Sequence, residues 1–519
     1  MPIPIMQQAV THQARIAIID DQGEYSYSDL LNTATQIAVA LLNGQADLQE
    51  ARIAFLAPSG FSYVAVLWGI WLAGGVAVPL CASHPAAEMR YVLQDSDAAM
   101  LIAHPDFEAK LRPLAAEQGI PLRLTSEWIM TLTPNPSPSK GEGSEKLPRL
   151  VGEGLGEGAL PDITPTRRAL ILYTSGTTSK PKGVVSTHAN LTAQITSLIE
   201  AWGWTENDHI LHVLPLHHTH GIVNVLLCAL WAGAVCEMMP KFEAEAVWQR
   251  FMTRPLTLFM AVPTIYGRLI AAWEAADSDM QARMSASCQK MRLMVSGSAA
   301  LPATFFEQWQ RISGHALLER YGMTEMGMAL SNPLQGERRV GFVGLPLPGV
   351  TVRLVDDAGA PIDGEGQAGQ IQVKGANVFH EYWQRPEATE QTFQDGWFIT
   401  GDVAIVEQGY YRILGRSSVD IIKTGGYKVS ALEIEEVLRT HPAIEEVAVI
   451  GLDDPAWGEQ VAAVVALKPN MALSLEELRY WAKEHLAIYK IPQRLLVVAE
   501  LPRNVMGKVT KPDVKRLFE

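Results

Sequence analysis

Apolar residues recur at helical spacing in the first part of the chain and then form short unbroken runs. Between residues 28 and 44, Leu, Ala and Ile return every three or four positions, which predicts a helix. Ser28 is placed to cap this helix and Gly44 to end it. Residues 52–56 form a short apolar run that is typical of a buried strand.

A longer apolar segment, residues 61–80, carries no charged residue and is long enough to span a bilayer. Gly74 and Gly75 interrupt it, so a helix, a turn and a buried strand are the better prediction. Residues 222–236 repeat the pattern, with Gly233 at the break. Two helix-to-strand units of this kind indicate an α/β protein whose sheets are covered by helices.

The spacing of apolar runs and turn residues in the rest of the chain predicts its domain organisation. Turn residues between short apolar runs from about residue 340 to residue 415 predict a β-rich subdomain, which completes a large N-terminal domain over residues 1–415. Residues 421–519 combine helical and strand patterns and predict a small α+β domain. Residues 132–161 are rich in Pro, Gly and Glu and are predicted to be a flexible surface insertion.

Composition narrows the class of protein. The 519 residues include 42 basic and 56 acidic side chains, which gives a net charge of −14 and argues against general binding to nucleic acid or anionic membranes. The four cysteines form no C-x-x-C pair, so a reducing compartment is expected. The first twenty residues resemble neither a secretory signal nor a transit peptide, and we therefore expect a cytoplasmic protein.

The most informative motif is residues 173–183, which read Tyr-Thr-Ser-Gly-Thr-Thr-Ser-Lys-Pro-Lys-Gly. Backbone N–H groups, hydroxyls and ammonium groups in such a loop can surround a polyphosphate, which makes ATP the first candidate ligand. It is not a Walker A loop, because Pro181 stands five residues after Gly176 and Val184 follows Gly183. We expect a phosphate-binding loop between two strands.

Two shorter motifs add oxygen ligands. Thr324 and Glu325 place a hydroxyl beside a carboxylate, a combination that suits a phosphate and Mg²⁺. Asp402 follows Gly401 on a predicted tight turn, where its carboxylate could hold a ribose diol. An ordinary turn residue is the alternative interpretation of Asp402.

Residues 173–183, 321–325, 400–402, 415–416 and 502–508 together resemble the adenylate-forming superfamily of acyl-CoA synthetases, adenylation domains and firefly luciferase. The resemblance covers the whole chain apart from the predicted insertion. It implies a ligase in which a carboxylate attacks the α-phosphorus of ATP, giving acyl-AMP and pyrophosphate. A thiol, usually that of coenzyme A, then displaces AMP. The C-terminal domain is implied to be mobile and to rotate between the two half-reactions.

The resemblance also assigns roles to individual residues. The residues that it implies for ATP binding are Thr174, Ser175, Gly176, Thr177, Thr178, Lys182, Ser298, Tyr321, Thr324, Asp402, Arg416 and Lys508. The implied Mg²⁺ ligands are Glu325 and Thr178, and the implied catalytic groups are Lys508, Thr324 and Glu325. The implied CoA contacts are Gly425, Gly426, Tyr427 and Lys428. Lys508 is expected to act in the first half-reaction only.

The sequence departs from the family pattern in two places. Ser179 stands where the phosphate loop usually has Gly, and if this position needs a positive φ, Ser adopts it at a cost in strain. In the implied hinge, residues 416–420, Ser418 stands where Asp or Lys is usual. The pivot therefore lies within residues 417–420.

The choice of carboxylic acid depends on polar residues in apolar surroundings. Five histidines lie between His209 and His220, and a zinc site is one interpretation of them. No Cys or carboxylate completes a usual ligand set at metal spacing, so a polar acyl pocket or a structural role is preferred. Arg292 begins an otherwise apolar strand and favours a dicarboxylate, because guanidinium binds carboxylate in a bidentate manner.

Residues 212–224, 260–266 and 420–432 resemble malonyl-CoA and methylmalonyl-CoA synthetases. This resemblance implies malonate, with methylmalonate as a second substrate. Arg292 is then expected to pair with the distal carboxylate, with Ser296 and His218 beside it.

Two alternatives to this prediction stay open. A ligase for another short-chain or aryl acid would have no use for Arg292. A nucleotide-binding protein without turnover would have no physical need for Lys508, Glu325 and Asp402 together. In every case we expect small-molecule partners, with no nucleic acid and no membrane span.

Overall fold

The computed structural model describes residues 3–128, 160–174, 180–424, 427–455, 457–503 and 509–519. For Tyr427 and Lys428 it describes the backbone alone. The predicted insertion at 132–161 lies outside these ranges except for its last two residues. Several predicted site residues also lie outside them: Ser175, Gly176, Thr177, Thr178, Ser179, Gly425, Gly426 and Lys508.

The strands are numbered in chain order. They are β1 (Ile16–Ile19), β2 (Glu24–Ser26), β3 (Arg52–Leu56), β4 (Val76–Pro79), β5 (Met100–Ala103), β6 (Leu122–Leu124), β7 (Arg168–Thr174), β8 (Lys182–Thr187), β9 (His209–His212), β10 (Val235–Met238), β11 (Leu258–Ala261), β12 (Leu293–Ser296), β13 (Leu318–Met323), β14 (Gly327–Ser331), β15 (Leu345–Pro346), β16 (Val350–Val355), β17 (Gly369–Gly375), β18 (Glu381–Tyr382), β19 (Phe393–Gln394), β20 (Trp397–Glu407), β21 (Tyr410–Arg416), β22 (Ile421–Thr424), β23 (Tyr427–Ser430), β24 (Ile444–Asp454), β25 (Gly458–Leu467) and β26 (Arg494–Val498).

The helices are numbered in the same way. They are α1 (Pro4–Thr11), α2 (Tyr27–Leu42), α3 (Phe61–Leu72), α4 (Ala86–Asp95), α5 (Glu108–Gln118), α6 (His188–Trp202), α7 (Cys228–Ala232), α8 (Ala244–Thr253), α9 (Pro263–Glu274), α10 (Ser278–Cys288), α11 (Ala303–Ser313), α12 (Pro386–Gln391), α13 (Ala431–Leu438), α14 (Leu475–Ala482) and α15 (Lys511–Arg516). A π-helix, His220–Leu227, precedes α7.

The chain divides into two compact units. The first comprises residues 1–340, 346–351 and 374–391, and the second comprises residues 341–345, 352–373 and 392–519. Most of the β-rich segment therefore groups with the C-terminal residues. The boundary at residue 415 stays a prediction.

The first unit contains two sheets. One has the strand order β18-β8-β7-β4-β3-β5-β6, and its central strands β7, β4, β3 and β5 are parallel. The other contains β14-β13-β12-β11-β9-β10-β1-β2 and is parallel from β1 to β13. Helices cover these strands, as expected for buried parallel strands, and the predicted α/β class is confirmed.

The predicted elements of the first unit are present. The segments 61–80 and 222–236 each form a helix, a turn and a buried strand, and residues 52–56 form β3. The prediction of Ser28 as a helix cap is wrong. The cap of α2 is Ser26, whose side chain accepts a hydrogen bond from the Asp29 N–H while the Asp29 carboxylate bonds back to the Ser26 N–H.

Within the described residues, no helix is both long enough and apolar enough to cross a bilayer. The apolar segment at 61–80 is accounted for by α3, which is buried on nearly every side, and by the buried strand β4.

The second unit contains two further sheets. The sheet of the predicted β-rich subdomain has the order β16-β17-β20-β19, with β21 paired to β20. A second sheet has the order β23-β22-β25-β24, with β26 parallel to β25, and α13 and α14 pack their apolar residues onto it. Ser474 and Glu477 form the predicted capping box of α14. The α+β character of the C-terminal residues is therefore as predicted.

Candidate functional site

The predicted phosphate loop joins the antiparallel strands β7 and β8. Thr174 pairs with Lys182 across this hairpin, and the Tyr173 hydroxyl donates to the Asp95 carboxylate at 3.0 Å. The Tyr91 hydroxyl donates to the Pro181 carbonyl oxygen at 2.7 Å. The two ends of the loop are thus held by strand pairing and by tyrosine hydrogen bonds. The arrangement between two strands is the one that the sequence predicts.

A segment from much later in the chain is attached to this hairpin. Strand β18 pairs antiparallel with β8, and the Trp383 N–H donates to the Gly183 carbonyl oxygen at 2.8 Å. Asn190 at the start of α6 donates to the carbonyl oxygens of Ala376 and Val378, both at 2.9 Å. Residues 376–383 therefore have a fixed backbone beside the phosphate hairpin, which no local sequence pattern indicates.

Tyr382 in this segment connects two predicted site residues. Its hydroxyl donates to Glu325 Oε1 at 2.9 Å, and Lys182 Nζ lies 4.7 Å from the centre of its ring. The Glu325 carbonyl oxygen also accepts from the Phe379 N–H at 2.7 Å. The predicted phosphate ligand Lys182 thus lies over the ring of Tyr382, and the predicted Mg²⁺ ligand Glu325 is bonded to its hydroxyl.

The donor groups here fit Mg²⁺. Glu325 follows Thr324 in the turn between β13 and β14, and its carboxylate is the hard oxygen donor that Mg²⁺ prefers. The Tyr382 hydroxyl takes one carboxylate oxygen and fixes the orientation of the group. Mg²⁺ usually binds through one or two carboxylates together with substrate phosphates, and one oriented carboxylate beside a phosphate loop matches that pattern.

A second group of polar side chains lies where β12 ends. Arg320 in β13 is 3% exposed, and its Nη2 donates to Ser298 Oγ at 3.3 Å. Ser298 Oγ lies 3.3 Å from His220 Nδ1. Gly297 makes this packing possible, because a Cβ atom there would lie 2.5 Å from the Arg320 guanidinium carbon. Ser298 has a left-handed backbone with φ of 72°, a strained conformation that is frequent at functional sites.

Several buried polar atoms in this group have no hydrogen-bond partner among the described residues. They are Arg320 Nε, His220 Nε2, Ser296 Oγ and both side-chain atoms of the Asn224 amide. Buried polar groups are nearly always paired in folded proteins, so a concentration of unpaired ones indicates a place for a polar ligand. His220 and Asn224 lie in the π-helix, an element that is frequent at functional sites.

Burial also changes the charges of this group. Desolvation, with repulsion by Arg320, keeps the pKa of His220 well below its usual value, so the imidazole is neutral at neutral pH. Desolvation lowers the pKa of Arg320 to about 9, against the opposing effect of Glu319. The guanidinium therefore remains charged at neutral pH, and a buried charge of this kind favours an anionic partner.

The loop in front of the π-helix is held by two side chains. His212 accepts a hydrogen bond from the Leu214 N–H at Nδ1, at 3.3 Å, and its Nε2 lies 3.0 Å from the Gly221 carbonyl oxygen. The Tyr63 hydroxyl donates to the Leu216 carbonyl oxygen at 2.6 Å. Two of the five histidines, His212 and His220, thus lie at the polar group, and His218 lies two residues before His220.

The structure contradicts the assignment of Arg292 to the distal carboxylate of the substrate. Its guanidinium donates to both carboxylate oxygens of Asp208, at 2.7 and 2.6 Å, and to the Trp202 carbonyl oxygen at 2.8 Å. Arg292 precedes the first residue of β12, whereas Ser296 is the last, so the strand separates them by about 13 Å. Arg292 is a structural residue, and Arg320 is the buried cation beside Ser296 and Ser298.

The position of Arg320 relative to the ends of the predicted strands indicates a ligand-binding residue, although the spacing of apolar residues does not. In open α/β sheets, ligands bind beyond the carboxyl ends of parallel strands. Glu319 pairs with Ser296, so Arg320 lies just beyond the end of β12, while Arg292 lies at the amino end. Knowing the strand direction would have favoured Arg320.

Asp402 and Arg416 belong to the second unit and lie opposite each other in β20 and β21. Arg416 Nε lies 3.3 Å from Asp402 Oδ1. Asp402 stands in a strand after Gly401, which has φ of 76°, and not in the predicted tight turn. The Asp420 carboxylate accepts from the Arg416 N–H at 3.0 Å, inside the implied hinge.

The remaining predicted residues are only partly described. Tyr321 lies in β13 next to Arg320, and Thr324 lies at the turn that follows. Tyr427 and Lys428 belong to β23, which pairs with β22, while Gly425, Gly426 and Lys508 lie outside the described residues. The CoA contacts and the role of Lys508 stay predictions.

Comparison with family models identifies both parts of the chain. Residues 5–383 match the model of the AMP-binding enzyme family, and residues 433–508 match the model of the AMP-binding enzyme C-terminal domain.

Individual proteins agree with this result. The mitochondrial malonate–CoA ligase of Xenopus laevis is 46% identical over 99% of this chain and 91% of its own length. The crystal structure of ATP-bound MatB from Rhodopseudomonas palustris has a TM-score of 0.85 and 31% identity, and covers 100% of this chain and 99% of its own. The o-succinylbenzoate–CoA synthetase of Bacillus subtilis, in complex with ATP and magnesium ion, has a TM-score of 0.82 and 27% identity. It covers 99% of both chains.

Proposed function

Because the chain belongs to the AMP-binding enzyme family, we propose that it is an AMP-forming ligase that joins malonate to coenzyme A, with methylmalonate as a second substrate. The similarity to a malonate–CoA ligase over nearly the full length supports this choice of acid. The feature of the chain itself that supports it is the buried, charged Arg320.

The argument from Arg320 is electrostatic. A guanidinium that is 3% exposed, with an unpaired Nε, is stabilised by a bound anion, and a second carboxylate on the substrate supplies one. A monocarboxylic acid would bring an apolar end into contact with this charge. The hydroxyls of Ser296 and Ser298 add donors that suit a carboxylate as well.

The proposed reaction has two steps. One carboxylate oxygen of malonate attacks the α-phosphorus of ATP, the bond to the β-phosphate oxygen breaks, and pyrophosphate leaves. The sulfur of CoA then attacks the acyl carbon, AMP leaves with the bonding electrons, and the thiol proton is released. The acid is held by Arg320 at its other end, so the reacting carboxylate is the one that faces the nucleotide.

Each predicted ATP-binding residue has its own part of the nucleotide to hold. Lys182 and the hydroxyls of the 174–178 loop hold the β- and γ-phosphates, and Thr324 contacts the α-phosphate. Glu325, oriented by Tyr382, would hold Mg²⁺, and the bound ion would neutralise phosphate charge. Asp402 and Arg416 hold the ribose hydroxyls. Lys508 stabilises the charge that develops during adenylation.

A panel of acids tests the proposal. Pyrophosphate release from ATP and Mg²⁺ is measured with malonate, methylmalonate, acetate and benzoate, each with and without CoA. Malonate is expected to have the highest kcat/KM, with methylmalonate next, and acetate and benzoate lower by about 100-fold because they leave Arg320 without a partner.

The same panel separates the alternative functions. A higher kcat/KM for acetate or benzoate than for malonate would identify a ligase for another acid and contradict the role of Arg320. Absence of pyrophosphate release with every acid, in a protein that binds ATP, would identify a nucleotide-binding protein without turnover. Methylmalonate and malonate differ by one methyl group, which is worth only about 1–3 kcal/mol in a pocket.

A further inference from the structure

Three side chains from different parts of the first unit meet outside the ATP and acid groups described above. They are Cys81 and His84, which follow β4, and His217, which follows β9; together they are called the Cys81 cluster. The sulfur atom and one ring nitrogen of each histidine all lie within 4.8 Å of one another. Among the described residues this is the one group of three or more Cys, His, Asp or Glu side chains with such spacing.

The donor atoms of the Cys81 cluster suit a borderline-soft divalent metal. One thiolate and two imidazoles are a common partial ligand set for zinc, and Cys81 and His84 have the two-residue spacing of a chelating pair. Zn–S and Zn–N bonds in a tetrahedron place the donor atoms about 3.3–3.6 Å apart. The three donor atoms of the cluster lie within 4.8 Å of one another, so they need to approach by about 1 Å to bind one ion.

The groups around the cluster already orient its ligands. His84 Nδ1 lies 3.3 Å from the Glu88 carboxylate, one turn further along the chain, which leaves Nε2 for a metal. Histidine ligands of metals usually bond a carboxylate through their other nitrogen in this way. Lys110 Nζ donates to the carbonyl oxygens of Ala82 and His84, at 2.7 and 2.8 Å, and fixes the backbone that carries both ligands.

Cys81 differs from the other three cysteines. Burial raises the pKa of Cys228, Cys236 and Cys288, so these thiols stay protonated. Cys81 instead has ring nitrogens of both His84 and His217 within 4.8 Å of its sulfur atom. The thiolate is the form of cysteine that binds metals.

We propose that Cys81, His84 and His217 bind one Zn²⁺ ion, with a fourth coordination position left for water or another small ligand. The ion would join the segment after β4 to the segment after β9. The ring centre of His217 lies 4.1 Å from that of His218, with the rings tilted, so the ion would fix the chain next to the predicted acid group. A zinc site formed by the histidines between His209 and His220 lacked a Cys or carboxylate ligand nearby in the sequence. The fold brings Cys81 to His217 and so provides that ligand.

Metal analysis of the full chain tests this proposal. The purified protein is stripped with a chelator, loaded with Zn²⁺ under reducing conditions, and separated from free metal before the zinc content is measured. The wild type is expected to retain one zinc per chain, while Cys81→Ser and His217→Ala each lose at least about ten-fold in affinity. Cys228→Ala is the matched control, because it removes a buried cysteine outside the cluster, and it is expected to retain zinc.

Co²⁺ loading gives an independent result. The wild type is expected to show a thiolate-to-cobalt charge-transfer band that is absent in Cys81→Ser and present in Cys228→Ala. Zinc retention by the wild type no greater than that of Cys81→Ser, or a cobalt spectrum without the thiolate band, would overturn the proposal.

A measurement on the wild type alone covers the case in which a variant fails to fold. Iodoacetamide alkylation of Cys81, located by peptide mapping, is expected to be at least about ten-fold slower with Zn²⁺ bound than in the stripped protein. Equal alkylation rates with and without Zn²⁺ would also reject the site.

Discussion

Two arginines near neighbouring strands of the larger sheet have opposite surroundings. Arg292 has a buried carboxylate, Asp208, in bidentate contact, and Asp208 also accepts from Thr257 Oγ1 at 2.7 Å. Among the described residues, the Arg320 guanidinium makes one side-chain hydrogen bond, to the Ser298 hydroxyl, and its Nε makes none. The first arginine is satisfied by the protein, and the second has bonding capacity left for a ligand.

This difference predicts two distinct outcomes for the same substitution. Arg320→Met is expected to lower kcat/KM for malonate by about 100-fold, which corresponds to about 3 kcal/mol of lost charge-assisted binding, while ATP binding persists. Arg292→Met is the matched control. It is expected to keep the preference for malonate but to lower the unfolding free energy by about 3 kcal/mol, because Asp208 is left buried without its partner.

Pyrophosphate release and chemical denaturation of both variants check these expectations. A loss of malonate selectivity in Arg292→Met, with Arg320→Met unchanged, would reverse the assignment. The apolar pattern alone did not separate the two residues, because it shows an Arg beside apolar residues in both cases and does not use the direction of the strands. The partner of Arg292 stands in a different element, and its identity depends on the order of strands in the sheet.

At the scale of elements, the sequence pattern predicts those helices, turns and strands that are formed by residues close together in the chain. The helix–turn–strand units at 61–80 and 222–236 follow from their glycine breaks and apolar runs, and the capping box at Ser474 follows from four residues. The apolar stripe favours Ser28 as a cap because Ser28 precedes it, but the cap is Ser26, two residues earlier, which makes the reciprocal pair with Asp29. Helix ends depend on such side-chain geometry, which periodicity does not specify.

The attachment of residues 376–383 to the phosphate hairpin was not predictable by the same means. It rests on the pairing of β18 with β8 and on Asn190 of α6, which are distant in sequence. Its consequence is that Tyr382 orients Glu325. This role is absent from the predicted site, because a tyrosine in a short polar segment carries no distinctive pattern.

Tyr382→Phe tests this positioning role. The ring that faces Lys182 is kept, and only the hydroxyl bonded to Glu325 is removed. The Mg²⁺ concentration for half-maximal pyrophosphate release is expected to rise about ten-fold or more, since one hydrogen bond to a charged group is worth about 1.5–3 kcal/mol net. KM for malonate is expected to stay unchanged.

The control removes a hydroxyl of the same kind elsewhere in the first unit. The Tyr27 hydroxyl donates to the Ala234 carbonyl oxygen at 2.8 Å in the core. Tyr27→Phe is expected to reduce stability without changing the Mg²⁺ dependence. Identical Mg²⁺ titrations for Tyr382→Phe and wild type would show that the hydroxyl does not position Glu325.

For the whole molecule, buried histidines make stability depend on pH, and His188 and His212 contribute in addition to His220, whose pKa is also well below its usual value. Burial, with repulsion by Arg167, lowers the pKa of His188 to about 3, and burial lowers the pKa of His212 to about 4 despite its bond to the Gly221 carbonyl. In the unfolded chain both titrate near 6.5. Below that pH the unfolded state binds protons that the folded state does not, so stability falls as the pH drops from about 6.5 towards the folded pKa values.

The expected loss is about 2 kcal/mol for each histidine at about pH 5. Urea denaturation followed by tryptophan fluorescence, at about pH 7.5 and about pH 5, measures it. His212→Gln is expected to remove about a third of the pH-dependent loss, because His188 and His220 contribute similarly, while the exposed His380→Gln leaves it unchanged. An equal loss in His212→Gln and wild type would show that His212 is not the titrating group.

The division of the reaction into two steps gives the last prediction at this scale. Lys508→Ala is expected to reduce pyrophosphate release from ATP and malonate by about 100-fold or more, because its ammonium would stabilise charge only while the carboxylate attacks the α-phosphorus. Thioester formation from supplied malonyl-AMP and CoA is expected to stay within about two-fold of wild type.

Lys511, three residues further on, provides a comparison because its charge is already used within the second unit. Its Nζ lies 2.6 Å from Asp420 Oδ1 and 2.9 Å from Glu435 Oε1, and burial raises the pKa of Glu435 even though Lys511 opposes that change. Lys511→Met leaves both carboxylates without their cation, so it is expected to lower the melting temperature and to affect both half-reactions alike. Lys508→Ala is expected to keep the melting temperature of the wild type and to separate the half-reactions. Equal loss of both half-reactions in Lys508→Ala would mean that its ammonium serves the fold, as that of Lys511 does, and not the adenylation step.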